Sequence, residues 1–298
     1  MIQSTKISPF VAILICLNSM IGAGLFINTK PLTQLAGSFG FLGYIIAAFI
    51  ILPLIICIAE LASLHPVAGG LYVYSKEHVG SMAGFLSSWA YFVGKTTSVS
   101  ILTHKFVQFF QARIPILQNT STLQIDFGLM FLLVALNCGG VSVGGRIQYV
   151  FTLLKAIPIL FTFCAGFIYF DVNNLVDIFD LQGVLYTIPI AIFPLLGFEV
   201  ICAIGNMIQD AKHNIKRVIL TAFCLVALIN ISFQLTMFGI QGDALKLIDE
   251  PVLMVGLKAL SSYPFLASAI NGAVFASIIG ACFSILTSNC WNLYTLAH

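Results

Sequence analysis

The chain has 298 residues, of which 59% are apolar and only 8% are charged, and its mean hydropathy is +1.04. This composition excludes a water-soluble globular protein, whose surface would need many more charged side chains. The net charge of +2 says little about partners, and we predict no nucleic-acid partner. The composition indicates an all-α protein that crosses the lipid bilayer several times.

Apolar runs with few charged residues define the predicted spans in chain order. At roughly 20 residues for each spanning helix, the length allows about eight spans and almost no domain outside the membrane. The runs are 8–28, 39–60, 80–104, 127–145, 148–170, 184–206, 218–240 and 265–297. More Lys and Arg residues fall on the side that holds the N-terminus, which places the N-terminus in the cytoplasm. We expect the protein to lie in the cell membrane.

Cysteine and acidic residues give no sign of a metal site, a cofactor or an enzyme. The eight cysteines lie within apolar segments, so we interpret them as small buried residues rather than disulfides or metal ligands. Asp177 and Asp180 form only a lone acidic pair on a loop, and the histidines are scattered. We therefore predict no cofactor and no metal, and a membrane-embedded enzyme is disfavoured.

The first span contains Ile21-Gly22-Ala23-Gly24 at its middle, where we predict that the helix breaks. Unpaired backbone groups in a membrane are tolerated where a polar partner satisfies them. A carboxylate near Gly22 and Gly24 would meet bare amide N–H groups and the positive end of a helix dipole. Carbonyl groups around Asn18, Ser19 and Met20 would accept hydrogen bonds from an ammonium group. The alternative interpretation is close packing of small residues between helices.

Two lysines lie inside predicted spans, where a charged residue costs about 3 kcal/mol. Lys95, in the third span, either contacts the substrate or pairs with Glu199. It does not end a phosphate-binding loop, because Trp89 stands where that motif requires glycine. Lys155, in the fifth span, either takes the place of a coupling cation or extends to the inner membrane surface.

The sixth span contains a second predicted break, Phe193-Pro194-Leu195-Leu196-Gly197-Phe198-Glu199. Carbonyl groups near Phe193 would add acceptors for an ammonium group. Glu199 either stabilises the unwound backbone or holds the cationic end of a substrate, and pairing with a lysine is an equal alternative. Two breaks in matching positions are typical of transporters with inverted repeats. A sensory receptor would not need them.

The predicted repeats cover residues 1–170, with spans one to five, and residues 184–298, with spans six to eight. The second repeat is incomplete, because it lacks two spans relative to the first. The sequence ends at Thr295-Leu296-Ala297-His298 without a basic tail, so we expect a truncated chain. One alternative is therefore a non-transporting remnant that keeps part of the fold as an interaction partner.

Four stretches together resemble the amino acid-polyamine-organocation (APC) superfamily of permeases. They are NSMIGAGLFI from Asn18, AELASLHPVAGGLYVYSKEHVGSMAG from Ala59, GFEVICAIGNMIQDAKHNIKRVIL from Gly197, and the final LYTLAH. The resemblance implies a LeuT-like fold of ten core helices in two inverted repeats, with discontinuous helices 1 and 6. It also implies alternating-access transport of amino acids or related amines, by symport or exchange.

The same resemblance assigns roles to residues of the two breaks. It implies that the substrate carboxylate binds at Gly22, Ala23 and Gly24, and that the amine binds carbonyl groups around Ile21 and Phe193. Phe193 occupies the position of an aromatic gate, beside Gly197 and Glu199. Lys155 resembles the span-five lysine of proton-coupled members, so protons are the expected coupling ion. Lys95 departs from the family pattern and leaves the charge preference for substrates open.

Overall fold

The computed structural model describes residues 6–22, 24–67, 70–247 and 264–297. Within these ranges the chain is helical, and none of its residues belongs to a β-sheet, which confirms the all-α prediction. The α-helices are α1 (Pro9–Met20), α2 (Gly24–Ile27), α3 (Thr29–Ala36), α4 (Gly40–Leu64), α5 (Gly70–His78), α6 (Ser81–Arg113), α7 (Thr122–Asn137), α8 (Gly140–Tyr169), α9 (Leu181–Ile192), α10 (Val200–Ala203), α11 (Ala211–Gln241) and α12 (Pro264–Ala297).

Five helical stretches of the described chain are long and apolar enough to cross a membrane: Gly24–Leu64, Ile147–Tyr169, Leu181–Ala203, Ala211–Lys246 and Ser268–Tyr294. They overlap the predicted second, fifth, sixth, seventh and eighth spans. The predicted first and fourth spans correspond to shorter apolar helices, α1 and α7. The third corresponds to α6, which is long but less apolar. The protein is therefore a multi-span membrane protein.

The boundary between the fourth and fifth spans differs from the prediction. The helices end at Asn137 and begin again at Gly140, so the turn lies at Cys138 and Gly139 rather than near residue 146. Arg146 lies within the first turns of α8. The charge of Arg146 suggested a loop, but a basic residue near a helix end is compatible with a helix that reaches the membrane surface.

The cysteines also differ in part from the prediction that all are buried. Cys16, Cys202 and Cys282 are buried, whereas the other five are exposed, and all eight are free thiols. The exposed ones are Cys57, Cys138, Cys164, Cys224 and Cys290. The prediction was wrong for these five because an apolar residue in a membrane helix can face the lipid as well as the core.

Three clusters of buried apolar side chains hold the helices together. The first joins α1, α4, α9 and α11, and the second joins α2 and α8 to the C-terminal half of α11. The third joins α6, α7 and α12. Helix α11 packs against α4, α1 and α8, while α12 packs against α6 and α8. Helices α11 and α12 therefore connect the helices around α1 and α4 with those around α6 and α7, through their shared neighbour α8.

Polar contacts mark the two ends of α4. At its C-terminal end Lys216 Nζ lies 2.5 Å from Glu60 Oε2, and Ser63 Oγ donates to the carbonyl oxygen of Lys212 at 2.5 Å. Before its N-terminal end, Gln34 Nε2 donates to the carbonyl oxygen of Lys246 at 2.9 Å. Lys212, at the start of α11, and Lys246 therefore lie at opposite ends of α4.

The segment before α1 is bound to the segment that follows α10. The backbone N–H of Ile7 donates to the carbonyl oxygen of Met207 at 2.8 Å, and the N–H of Gln209 donates to the carbonyl oxygen of Ile7 at 2.9 Å. Helix α1 then begins with Ser8, whose hydroxyl caps Val11, and with Pro9 in the first turn. These bonds join the N-terminal end of the first interrupted helix to the C-terminal end of the second.

Candidate functional site

The first interruption lies between α1 and α2. Helix α1 ends at Met20, and Ile21 is extended with φ −75° and ψ 91°. The next helix begins at Gly24, so the break falls where the sequence predicts it. Ala23, a predicted substrate contact, lies outside the described residues. The last carbonyl groups of α1 have no following helical turn to bond them, and they are available to other donors.

The second interruption lies between α9 and α10. After Ile192 the chain forms a short 3-10 turn over Phe193–Leu195, and Leu196 is extended. Gly197 has φ +117°, which is a conformation that only glycine adopts without strain. Helix α10 begins at Val200. A proline in the turn and a glycine with positive φ are thus the local causes of this break.

The two interruptions are in direct contact, and glycine makes this contact possible. A Cβ atom on Gly24 would lie 2.9 Å from Pro194 Cγ and 3.0 Å from Phe193 Cδ1. A Cβ atom on Gly197 would lie 3.0 Å from the carbonyl oxygen of Ser19. Gly22 faces α12, where an added Cβ would lie 3.3 Å from Ala281 Cβ. The glycines therefore serve close packing, and this packing brings the two breaks together.

A cavity of about 410 Å³ lies beside the two breaks, within the size range of small-molecule sites. Its lining includes most of the predicted substrate residues, namely Gly22, Gly24, Lys95, Phe193, Gly197 and Glu199. Ile21 is not among the described residues that line it. The other walls are largely apolar and include Leu54 and Ile58 of α4 and Ile285 of α12.

Glu199 is the hub of a polar network on the cavity wall. Its Oε1 contacts Lys95 Nζ and accepts a hydrogen bond from the Tyr91 hydroxyl at 3.2 Å. Its Oε2 accepts from the backbone N–H of Gly197 at 2.9 Å. The structure thus realises two of the roles considered for Glu199, because it pairs with a lysine and also stabilises the unwound backbone. Lys95 correspondingly pairs with Glu199.

Lys155 reaches the first break from α8. Its Nζ donates to the carbonyl oxygens of Asn18 and Ile21, each at 2.8 Å. The residue is only 3% exposed, so it does not extend to the inner surface, which was the alternative interpretation. An ammonium group therefore bonds the carbonyl groups that end α1. The carbonyl of Ile21, which the family resemblance assigns to the substrate amine, already accepts one hydrogen bond.

The sequence analysis missed Tyr91, which lines the cavity and contacts Glu199. The spacing to Lys95 could have revealed it, because residues four apart lie on the same face of a helix. Tyr91 also lies against the lysine, with Lys95 Nζ 5.3 Å from the centre of the Tyr91 ring. Ser98, seven residues after Tyr91 on the same face, lines the cavity as well. A polar stripe on α6 therefore faces the site.

Comparison with known proteins gives matches along nearly the whole chain. The family model for amino acid permeases matches residues 7–298. The chain is similar to the uncharacterized amino acid permease YtnA of Bacillus subtilis, with 24% identity over 306 residues that cover 96% of this chain and 64% of YtnA. It is also similar to the aromatic amino acid transport protein AroP of Escherichia coli, with 31% identity over 155 residues.

The match to AroP covers 49% of this chain and 32% of AroP. A third relative, the uncharacterized transporter Rv1999c of Mycobacterium tuberculosis, is 41% identical over 91 residues, which are 30% of this chain and 21% of that protein. The chain thus spans less than two thirds of the length of each of these relatives. The family match, the membrane helices and the resemblance seen in the sequence agree, and the chain belongs to the amino acid permease family, whose members are transporters rather than enzymes.

Proposed function

We propose that this protein is a secondary transporter that moves amino acids or related amines across the cell membrane, with its N-terminus in the cytoplasm. The observation that carries the proposal is the contact between two interrupted helices beside a cavity of about 410 Å³. Bare backbone groups at mid-helix suit a charged, hydrogen-bonding ligand. The printed names of YtnA and AroP, an amino acid permease and an aromatic amino acid transport protein, agree with this class of substrate.

The proposed fold is LeuT-like, with residues 1–170 as a first repeat and residues 184–298 as part of a second, inverted repeat. The substrate carboxylate binds where the chain passes Gly22 and Gly24, next to the N-terminus of α2. The amine binds carbonyl oxygens near Ile21 and Phe193. Since a carbonyl oxygen has two lone pairs, that of Ile21 can accept from the substrate while it accepts from Lys155. Phe193 lines the cavity and is proposed to close it.

Proton coupling is proposed to act through Lys155. Its ammonium group binds the carbonyl groups of Asn18 and Ile21 at the end of α1. In a transporter that couples to a metal cation, that cation could bind such carbonyl groups instead. Loss of a proton would remove the positive charge that these two carbonyl groups face. The first break would then be held less tightly, so protonation of Lys155 and the position of α1 are linked. This linkage supports symport or exchange by alternating access.

The proposed site is tested with a Gly24→Leu variant and a binding screen. The screen measures the thermal stability of the purified protein with each of the twenty amino acids and with common polyamines, because a ligand that binds the folded state raises its stability. Wild type is expected to be stabilised by at least one of these ligands. Gly24→Leu is expected to lose that stabilisation, because a side chain there would fill the space next to Phe193 and Pro194.

The matched control is Gly128→Leu on α7, where an added Cβ atom would meet nothing within 4 Å. This variant is expected to keep the ligand response of the wild type. Uptake of the same ligand into vesicles then connects binding to transport. Undiminished uptake by Gly24→Leu would reject the site, and absence of any stabilising ligand for the wild type would reject the proposed class of substrate.

A further inference from the structure

We infer that Lys95 determines which side chains the site accepts: it neutralises Glu199 inside the cavity, so that amino acids with uncharged side chains bind and cationic ones are rejected. This inference rests on the proposed function and narrows it. It removes basic amino acids and polyamines from the substrates that the general proposal allows.

The first step of the argument is the charge of the cavity wall. Among the described residues that line the cavity, Lys95 and Glu199 are the charged ones, and they contact each other. The remaining lining consists largely of apolar side chains, such as Leu54, Leu71 and Ile285. The wall therefore carries one positive and one negative charge that cancel within a single contact.

The second step is that Glu199 has little capacity left for a ligand. One carboxylate oxygen faces Lys95 and accepts from Tyr91, and the other accepts from the N–H of Gly197 at 2.9 Å. The side chain of Glu199 is only 10% exposed, and that of Lys95 is 19% exposed. A ligand cation would have to displace Lys95, and the displaced ammonium group would then repel it. The site therefore discriminates against a cationic side chain, because this side chain must break the pair of Lys95 and Glu199 before it binds.

The third step is the position of Lys95 on a helix that is anchored independently of the breaks. Asn289 Nδ2 donates to Thr96 Oγ1 at 3.0 Å and to the carbonyl oxygen of Phe92 at 3.2 Å, so α6 is bound to α12 on both sides of Lys95. These bonds hold the backbone of α6 at Lys95 in place beside the cavity. Movement of a loop alone therefore does not carry Lys95 away from a bound ligand.

The test is a set of charge variants assayed for binding of L-leucine and L-phenylalanine, L-arginine and L-lysine, and L-glutamate. Wild type is expected to bind a neutral amino acid and to bind the two basic ones weakly. Lys95→Met removes the positive charge and leaves Glu199 available, so the ratio of basic to neutral affinity is expected to rise about tenfold. In a thermal-shift assay, arginine or lysine should stabilise Lys95→Met but not the wild type.

The opposite charge change gives a second and independent arm. In Glu199→Gln the amide oxygen can still accept from Gly197, while Lys95 is left as an unpaired cation. The affinity for L-glutamate relative to neutral amino acids is expected to rise about tenfold. This arm decides the question if Lys95→Met cannot be purified in folded form.

Two control variants accompany these changes. Lys105→Met makes the same substitution on the exposed side of the same helix and should behave as the wild type does. The double variant Lys95→Met with Glu199→Gln carries no charge at this site, so it should lose the preference for basic amino acids seen in Lys95→Met.

The outcomes separate the two proposals. If the wild type binds neutral amino acids and neither single variant changes its charge preference, the inference about Lys95 is wrong and the proposed function stands. Tighter binding of arginine or lysine than of neutral amino acids by the wild type would also overturn the inference. If no amino acid binds to the wild type, the proposed function itself fails, and the inference fails with it.

Discussion

The side-chain nitrogen of Lys155 lies among buried residues, and two backbone carbonyl groups accept hydrogen bonds from it. The distances of 2.8 Å to the oxygens of Asn18 and Ile21 are those of well-formed hydrogen bonds. Burial of a lysine side chain costs free energy unless hydrogen bonds compensate it, and the two carbonyl groups provide these hydrogen bonds. The arrangement ties the side chain of α8 to the point at which α1 loses its helical bonding.

Replacement of Lys155 by alanine is expected to abolish accumulation driven by a proton gradient. The variant has no group that can gain or lose a proton at this place, and two carbonyl groups lose a donor, at a cost of about 1–3 kcal/mol for each buried group left unpaired. Uptake into vesicles with and without an imposed pH gradient measures the effect. Lys212→Ala, at an exposed position, is the control. A response to the gradient as large as that of the wild type would contradict the proposed coupling.

At the scale of elements, the two interrupted helices meet through residues that have no room for larger neighbours. Gly197 combines a positive φ with close approach to Ser19 and Met20. The positive φ and the close contact thus both require glycine at position 197. The geometry of the second break depends on glycine here more than on any side-chain contact.

Gly197→Ala is expected to destabilise the protein by about 1–3 kcal/mol, because alanine at φ +117° is strained and its Cβ atom would lie 3.0 Å from the carbonyl oxygen of Ser19. Thermal unfolding in detergent measures the loss. Gly272→Ala on α12 is the control, since an added Cβ atom there meets nothing within 4 Å. Equal unfolding temperatures for the two variants would show that the close approach at Gly197 is not required.

Both breaks could be predicted from the sequence because their causes are local. Clusters of glycine and proline inside apolar runs are visible without a structure, whereas single prolines such as Pro53 and Pro158 lie within continuous helices. The pairing of Lys95 with Glu199 was only one of several possibilities, since it depends on how distant helices pack. The same holds for Lys155, whose partners on α1 follow from packing that no periodicity reveals.

Helix ends were predicted less well than helix positions. The predicted third span stops at residue 104, whereas α6 continues to Arg113. His104 lies inside this helix, and its Nδ1 lies 2.7 Å from Asp126 Oδ2 of α7. Composition therefore did not locate the end of this helix.

At the scale of the whole molecule, large apolar side chains cover much of the outer surface of the described helices. On α8, Leu160 is 62% exposed and Phe167 is 93% exposed. A water-soluble protein rarely leaves such a continuous apolar surface open, whereas hydrocarbon chains of a bilayer can cover it. The exposed apolar surface and the hydropathy of the chain thus both indicate that lipid surrounds the protein.

Leu160→Lys is expected to reduce the fraction of chains that integrate into a membrane. A lysine near the centre of a spanning helix costs about 3 kcal/mol on insertion scales, and Leu160 is near the middle of the stretch Ile147–Tyr169. Membrane-integrated protein is measured after alkaline extraction. Val176→Lys is the control, because Val176 is 84% exposed in the connection between α8 and α9. Equal integration of both variants would mean that Leu160 does not face lipid.

The two backbone hydrogen bonds of Ile7 have a mechanical consequence for the molecule. They clamp the start of α1 to the chain that leaves α10, and the same two helices touch again at their interruptions. Two attachment points, one before the start of α1 and one at the interruptions, leave little freedom for one helix to tilt without the other. A spectroscopic label on either of these two helices would therefore report the displacement of both.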